Sequence, residues 1–158
     1  MSIFPTKILL ATDGSEDAKL AATTAVDVAN STSSEVHVVY VKQLPYASGA
    51  VSYWSGVPSG YPYTDPELEH DIEQQARKLL DAEVEEVRSA GGEVAEAHLR
   101  IGTAAREIVA LAEDIEAGLI VMGSRGLGGI RGALMGSVSE AVVRHAHCPV
   151  LVVRHSRV

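Results

Sequence analysis

Short apolar runs alternate with longer amphipathic segments along most of the chain. Continuous apolar residues at 7–12 and 119–122 predict strands that are buried on both faces. Weaker apolar segments predict further strands at 36–41, 93–101 and from Val150 to Arg154. Between the strands, apolar residues recur at steps of three and four, which predicts amphipathic helices. This alternation predicts an α/β fold, with a parallel sheet covered by helices on both faces.

Capping residues predict where the helices begin and end. Ser15 and Thr103 are suited to cap the first and third helices. Pro66 suits the first position of a long second helix, and Gly91 suits its end. The last helix is predicted at 138–145. The apolar face predicted for the second helix comprises Leu68, Ile72, Ala76, Leu79, Leu80, Val84 and Val87.

Length and composition constrain the class of protein. The 158 residues predict one domain, 1–158, and aromatic residues at 4% leave a core of aliphatic side chains. The formal charge of −8 disfavours nucleic acid and anionic membranes as partners, since both require concentrated positive charge. No apolar run suits a membrane span or a signal peptide. Together with a single cysteine, Cys148, these features predict a cytoplasmic protein.

The segment 43–64 interrupts the alternation of strands and helices. It is rich in proline, glycine and serine, yet it contains the single tryptophan and most of the tyrosines. A long connection of this kind inside a domain is usually functional or disordered. We therefore expect a partly ordered flap near the functional site, with the surrounding fold independent of it.

A glycine-rich stretch at 120–139 carries the main functional signal. It runs from an apolar strand through a glycine loop into a new helix, an arrangement that offers backbone N–H groups to a phosphate. No lysine lies in this stretch, so it is no P-loop, and Arg131 occupies the third glycine position of a dinucleotide fingerprint. Glycine here would permit left-handed dihedrals or close approach of a ligand. A mobile loop without a ligand is the alternative.

The spacing Gly123-x2-Gly126-x9-Gly136-Ser137 resembles the nucleotide signature of the universal stress protein family, in its ATP-binding branch. The resemblance extends to the segments 7–15, 38–41, 120–124 and 148–153, and covers nearly the whole chain outside 43–64. It implies a doubly wound sheet of five parallel strands in the order 3-2-1-4-5. Ligands of such sheets bind at the switch point, between the first and fourth strands.

The resemblance implies an ATP-binding regulatory protein of the stress response, with ADP or AMP as alternative ligands and Mg or Mn accompanying the nucleotide. Backbone contacts are implied at Ala11, Thr12 and Val41, with Val41 beside the adenine. Asp13 is expected to accept from ribose or adenine, or to hold the divalent cation. The predicted nucleotide-binding residues are Ala11, Thr12, Asp13, Val41, Met122, Gly123, Arg125, Gly126, Gly136, Ser137, Val138 and Ser139.

The phosphates are expected against the N–H groups of residues 136–139. The hydroxyls of Ser137 and Ser139 could donate to phosphate or cap the helix. Arg125 or Arg131 would supply the largest side-chain contribution if either contacts phosphate. A slow ATPase of the same fold and a scaffold without nucleotide remain alternative functions. The resemblance also implies a homodimer formed through the strand Val150 to Arg154, with a further protein partner that the sequence does not identify.

Other candidate sites are weaker. His145, His147 and Cys148 are residue types that ligate zinc, but no second cluster joins them. The expected role of Cys148 is that of a small buried residue. His37, near the start of a strand, is expected to be exposed at an edge. We identify no Ser-His-Asp triad or catalytic carboxylate pair.

Overall fold

A computed structural model describes residues 1–43, 66–126 and 135–155. Within them, five strands form one sheet in the order β3-β2-β1-β4-β5, and every neighbouring pair is parallel. This confirms the predicted α/β fold class and strand order. The strands are β1 (Lys7–Thr12), β2 (Glu35–Lys42), β3 (Val94–Ile101), β4 (Leu119–Gly123) and β5 (Val150–Val153).

Two helices cover each face of the sheet. The helices are α1 (Glu16–Thr32), α2 (Pro66–Ser89), α3 (Ala104–Asp114) and α4 (Ser137–His145). Because side chains alternate along β1, Ile8 and Leu10 pack beneath α1 and α2, whereas Leu9 and Ala11 pack beneath α3 and α4. The sheet therefore separates two hydrophobic clusters.

The alanine stripe of α1 lets this helix lie close to the sheet. The helix lies close to Gly123 at the end of β4, since a Cβ built there would lie 2.9 Å from the backbone carbonyl carbon of Asp17. Any side chain at Gly123 would therefore push against helix backbone, which cannot move aside cheaply. The buried residues of the stripe are Ala18, Ala21, Ala22, Ala25, Val26 and Ala29.

The predicted cap of α1 is present in the structure, whereas the predicted cap of α3 is not. Ser15 caps α1, because its Oγ accepts from the Ala18 N–H at 3.2 Å. Thr103 precedes α3 as predicted, but its side chain makes no capping hydrogen bond.

The buried face of α2 differs from the predicted one: Leu68 and Leu79 are exposed, whereas Glu83 is buried. Hydrophobic spacing could not reveal that a carboxylate would take a core position.

His37 is buried, so the expectation of an exposed histidine at an edge is wrong. Its strand β2 lies between β1 and β3, and 5% of the residue is accessible. Its ring contacts that of His98 on β3, with Nδ1 of His37 3.1 Å from Nε2 of His98. Burial lowers the pKa of His98 below its usual value.

The chain reverses its direction of winding between β1 and β4. β1 connects through α1 to β2 on one side, and β4 connects through α4 to β5 on the other. The two connections leave opposite faces of the sheet, which opens a crevice at the carboxyl ends of these strands. None of the helices in the described ranges is long and apolar enough to cross a bilayer.

Candidate functional site

A cavity of about 260 Å³ occupies this crevice. All twelve residues predicted from the sequence line it, drawn from β1, β2, β4 and the start of α4. Part of the glycine loop, 127–134, lies outside the described residues, as does the predicted flap apart from Gln43. Further lining residues that the sequence analysis missed are Ser15, Ala18, Val39, Gln43, Ala104, Ile108 and Ser124.

One wall of the cavity is apolar. Val39 and Val41 share the face of β2 that packs beneath α3, and Ile108 on α3 and Met122 on β4 adjoin them. Val39 could have been found from the alternation along β2, since it lies two residues before Val41 on the same face. Ile108 could not, because its position depends on how α3 crosses the sheet.

The turn between β1 and α1 is organised by side chains. Asp13 Oδ1 accepts from the Ser15 N–H at 2.9 Å, and Gly14 adopts a φ of +80°. Ser15 Oγ also donates to the Arg125 carbonyl at 3.3 Å, which joins this turn to the chain after β4. The turn thus holds the two sides of the cavity together.

Thr12 directs its hydroxyl away from the cavity. It alternates with Ala11 on β1 and therefore faces α2, where Thr12 Oγ1 donates to Glu83 Oε2 at 2.7 Å. Burial raises the pKa of the Glu83 carboxyl, and the hydrogen bond from Thr12 opposes that shift. Burial also raises the pKa of Tyr40, with added contributions from Asp13 and Glu83. Thr12 can therefore offer its backbone, but not its hydroxyl, to a ligand.

On the other side of the cavity, the first turn of α4 provides backbone N–H groups. Its N-cap is Gly136, which has no side chain with which to cap the helix. The first N–H groups of a helix have no intrahelical partner, so those of Ser137, Val138 and Ser139 are suited to an anion. Among the lining residues that the structure describes, the cationic one is Arg125, which is half-buried.

Two groups expected to contact phosphate are engaged within the protein. The Gly136 N–H donates to the Ser124 carbonyl. Ser139 is buried, and its Oγ donates to the carbonyls of Ser124 at 2.8 Å and Gly136 at 3.0 Å. The hydroxyl of Ser139 therefore stabilises the loop instead of facing a ligand. Ser137 is exposed and lines the cavity.

The backbone dihedrals at Gly126 and Gly136 do not require glycine, contrary to the expectation of left-handed dihedrals in this loop. Gly136 has a φ of −76°, and Gly126 is not in the left-handed region. Close approach is the reason for both. A Cβ at Gly126 would overlap Asp13 Oδ2, and one at Gly136 would lie 3.1 Å from the Ser124 carbonyl oxygen.

Ser124 is held by a side-chain contact of its own. Its Oγ donates to Asp17 Oδ2 at 2.8 Å, and its N–H donates to the Val153 carbonyl at 2.8 Å. Ser124 therefore ties the end of β4 to α1 and β5. Sequence reasoning missed this residue because its partners are remote in the chain.

The weaker sequence candidates form no site in the described residues. His145 and His147 are exposed, and they belong to no cluster of three metal-ligating side chains in the ranges described. Cys148 is half-buried against the cluster under α3 and α4, so it is less enclosed than expected. Burial raises the pKa of its thiol, which disfavours the nucleophilic thiolate.

Comparison with known proteins identifies the family. The model of the universal stress protein family matches residues 5–154. A universal stress protein of Methanocaldococcus jannaschii, MJ0531, is 38% identical over 149 residues, covering 94% of this chain and 81% of that protein.

Solved structures agree with the family match. The universal stress protein UspA of Lactobacillus plantarum has a TM-score of 0.75 and 26% identity, and the match covers 97% of this chain and 100% of that one. The universal stress protein of Archaeoglobus fulgidus, solved in complex with dAMP, has a TM-score of 0.63 and 26% identity, covering 96% and 99%. The chain with the glycine-lined cavity between β1 and β4 belongs to the universal stress protein family.

Proposed function

We propose that the cavity binds ATP and that the protein is a nucleotide-binding regulator of the stress response. The observation that carries this proposal is the meeting of an apolar wall and a helix N-terminus in one cavity of about 260 Å³. The complex of the Archaeoglobus fulgidus relative with dAMP supports an adenine nucleotide as the class of ligand. In the proposal, all twelve predicted residues contact the nucleotide or form the backbone that receives it.

The adenine lies against the apolar wall. Val41 and Met122 are apolar side chains near the carboxyl ends of β2 and β4, on either side of β1, and Ile108 extends the same surface from α3. A planar base can be buried there without leaving a charge unpaired, since a polar group buried without a partner is costly. The base edge and ribose then face Asp13 and the backbone of Ala11 and Thr12.

The phosphates lie at the first turn of α4. The N–H groups of Ser137, Val138 and Ser139, together with the exposed Ser137 hydroxyl, supply donors. The helix dipole contributes about 0.3–1 kcal/mol, whereas a charge-assisted contact from Arg125 contributes about 1.5–3 kcal/mol. Arg125 is therefore the side chain whose removal should weaken phosphate binding most.

A divalent cation offsets the negative charge near Asp13. Asp13 follows the last residue of β1, and Glu83 accepts from the Thr12 hydroxyl at that same strand end, so two carboxylates lie at the end of the sheet proposed for the phosphates. Mg²⁺ or Mn²⁺ prefers carboxylate and phosphate oxygens, so the Asp13 carboxylate fits as the protein ligand. The cation would reduce the repulsion between this carboxylate and the triphosphate.

The proposal is tested by identifying and titrating the nucleotide. Protein purified without added ligand is denatured, and the released nucleotide is identified by mass spectrometry. Emptied protein is then titrated calorimetrically with ATP, ADP and AMP, with and without Mg²⁺, and with GTP as a control for the base. We expect ATP with Mg²⁺ to bind at one site per chain and GTP to bind at least tenfold more weakly. Failure of every adenine nucleotide to bind would favour the scaffold without nucleotide.

We also propose that β5 pairs with its copy in a homodimer. β5 is an outer strand of the described sheet, and each residue of Val150–Val153 is partly exposed. An open edge of four apolar residues is prone to pair with another strand. Light scattering should find a dimer, and Val152→Pro should yield a monomer because proline removes a backbone donor. A monomeric wild-type protein at micromolar concentration would contradict this assembly.

A further inference from the structure

His37, Glu96 and His98 form a second cluster of polar side chains, which we name the β2–β3 histidine cluster. One potential ligand atom from each residue lies within 4.8 Å of those from the other two. His37 Nδ1 and His98 Nε2 are 3.1 Å apart, and Glu96 Oε2 lies 3.9 Å from His98 Nε2. Its residues take no part in lining the nucleotide cavity.

A shift in strand register brings the cluster together. Val36 pairs with Val94, but His37 pairs with Glu96, so Ala95 is an extra residue in β3. Without it, His37 would pair with Ala95, and the side chains of Glu96 and His98 would face α2 instead of α3. Irregularities of this kind re-aim side chains and are common beside functional sites.

His37 has one ring nitrogen without a partner. The residue is 95% buried, and its Nε2 makes no hydrogen bond. This atom faces Glu35 Oε2 at 3.6 Å, which is beyond hydrogen-bond distance. A buried polar atom without a partner is unusual and needs an explanation. A ligand at the other ring nitrogen, Nδ1, would fix the proton on Nε2, where it faces the Glu35 carboxylate.

We propose that the β2–β3 histidine cluster binds a divalent zinc-type ion through His37 Nδ1, His98 Nε2 and Glu96 Oε2. Two nitrogen ligands about 2.0–2.1 Å from a tetrahedral zinc lie roughly 3.4 Å apart, close to the 3.1 Å between the two histidine nitrogens. The two rings meet almost in line, with centroids 5.4 Å apart and planes 17° from parallel, so ion binding requires them to tilt until their lone pairs converge. The carboxylate oxygen of Glu96 lies 3.9 Å from His98 Nε2 and within 4.8 Å of His37 Nδ1. This exposed carboxylate closes the third position by moving by about 1–1.5 Å. Water takes the fourth position.

Proton positions are consistent with this ligand set. The ion replaces the hydrogen bond between the facing ring nitrogens, so His98 carries its proton on Nδ1 and His37 carries its proton on Nε2. The His37 Nε2–H then points at Glu35, the carboxylate partner that metal-bound histidines commonly have. Arg100 opposes a cation by its charge, but Glu107 and Asp114 contact its guanidinium at 3.9 and 3.3 Å.

The test is a Zn²⁺ titration of the full chain without nucleotide. Protein freed of metal with a chelator is titrated calorimetrically at neutral pH, and Co²⁺ is used separately as a spectroscopic probe. We expect one Zn²⁺ per chain, a raised melting temperature with Zn²⁺, and a tetrahedral Co²⁺ spectrum without thiolate charge-transfer bands. His98→Gln should abolish binding, and Glu96→Gln and Glu35→Gln should each weaken it about 10–100-fold.

His145→Gln is the matched control, because it changes a histidine near Cys148 and should leave Zn²⁺ affinity unchanged. Glu96→Gln alters an exposed side chain, so it keeps the test valid if His98→Gln does not fold. The proposal is overturned if Zn²⁺ does not bind wild type at about 100 µM. It is equally overturned if folded His98→Gln binds like wild type, or if Co²⁺ shows thiolate bands. In these cases the cluster is a hydrogen-bonded histidine pair.

Discussion

The two sides of the cavity are built in different ways. On the β1 side, side chains set the geometry: Asp13 and Ser15 fix the turn, and Thr12 is tied to Glu83. On the β4 side, backbone sets it, with the Gly136 N–H and the Ser139 hydroxyl both donating to the Ser124 carbonyl. Removing a functional group should therefore perturb the β1 side most, and adding side-chain volume should perturb the β4 side most.

Gly123 and Gly126 also differ in whether an added side chain would meet backbone or side-chain atoms. A side chain at Gly123 would meet the backbone of α1, whereas a side chain at Gly126 would meet the end of the Asp13 carboxylate. Backbone cannot move without disturbing a helix, but a carboxylate can rotate. Gly123 is thus required for packing, and Gly126 is required for the position of Asp13.

The largest effect on stability is expected at Gly123. Gly123→Ala should lower the free energy of unfolding of the empty protein by about 2–3 kcal/mol, because the new Cβ overlaps Asp17 backbone. Gly126→Ala is the matched control and should cost less, about 1 kcal/mol, because the carboxylate can turn aside and only its hydrogen bond from the Ser15 N–H is weakened. Urea unfolding measures both. Equal losses of unfolding free energy in the two variants would contradict the claim that overlap with backbone costs more than overlap with a side chain.

Thr12 provides the next largest effect. Thr12→Val should cost about 1–2 kcal/mol, because it leaves the buried Glu83 carboxylate without its donor at 2.7 Å. Thr12→Ser retains the hydroxyl and should recover most of the loss. The melting temperatures of the two variants at neutral pH test this coupling, and identical destabilisation by both would exclude the hydrogen bond as its source.

Ser139 and Ser137 separate a structural hydroxyl from a ligand-facing one. Ser139→Ala should lower stability by about 1 kcal/mol, since it removes the donor to the Ser124 carbonyl at 2.8 Å. Ser137→Ala should leave stability within about 0.5 kcal/mol, because Ser137 is exposed. Thermal melts of both empty variants make the comparison. The reverse ranking would mean that the roles of the two serines are exchanged.

The pH dependence of stability should report on Glu83. Because burial raises the pKa of its carboxyl in the folded state, the protonated form is favoured by folding. Its contribution to stability is complete below the unfolded pKa, about 4.3, and is lost as pH rises through the raised value. Glu83→Gln lacks this titration, so its stability relative to wild type should increase between about pH 4 and 8. Melting temperatures across that range test the trend, which a constant difference would contradict.

The fold could be predicted from sequence because local and global signals agree. Apolar runs gave the strands to within about one residue, and the family resemblance supplied the order 3-2-1-4-5. The location of the cavity could also be predicted, since ligands of such sheets bind at the carboxyl ends of the strands beside the switch point, and the family resemblance implied which residues lie there. What the sequence could not supply was the hydrogen-bond partner of each group.

Glu83, Ser139 and His37 illustrate that limit. Ser139 and His37 were assigned from their own segments, and Glu83 was assigned no role. Each is fixed by a contact with a residue elsewhere in the chain: Ser124, His98 and Thr12, respectively. Hydrophobic periodicity identifies which face of an element is buried, not which polar side chain pairs across elements. The register shift in β3, which turns Glu96 and His98 toward His37, has no signal in periodicity at all.

The central claim is that the chain after β4 receives the phosphates of ATP, and Gly126→Val tests it most directly. Calorimetric titration with ATP and Mg²⁺ is paired with thermal melts of the empty proteins. We expect Gly126→Val to remain folded and to lose at least tenfold in affinity, because the side chain displaces the Asp13 carboxylate and fills the approach to the backbone. Ser137→Ala should lose about fivefold, one hydrogen bond of about 1 kcal/mol. ATP affinity of Gly126→Val equal to that of wild type would contradict the account.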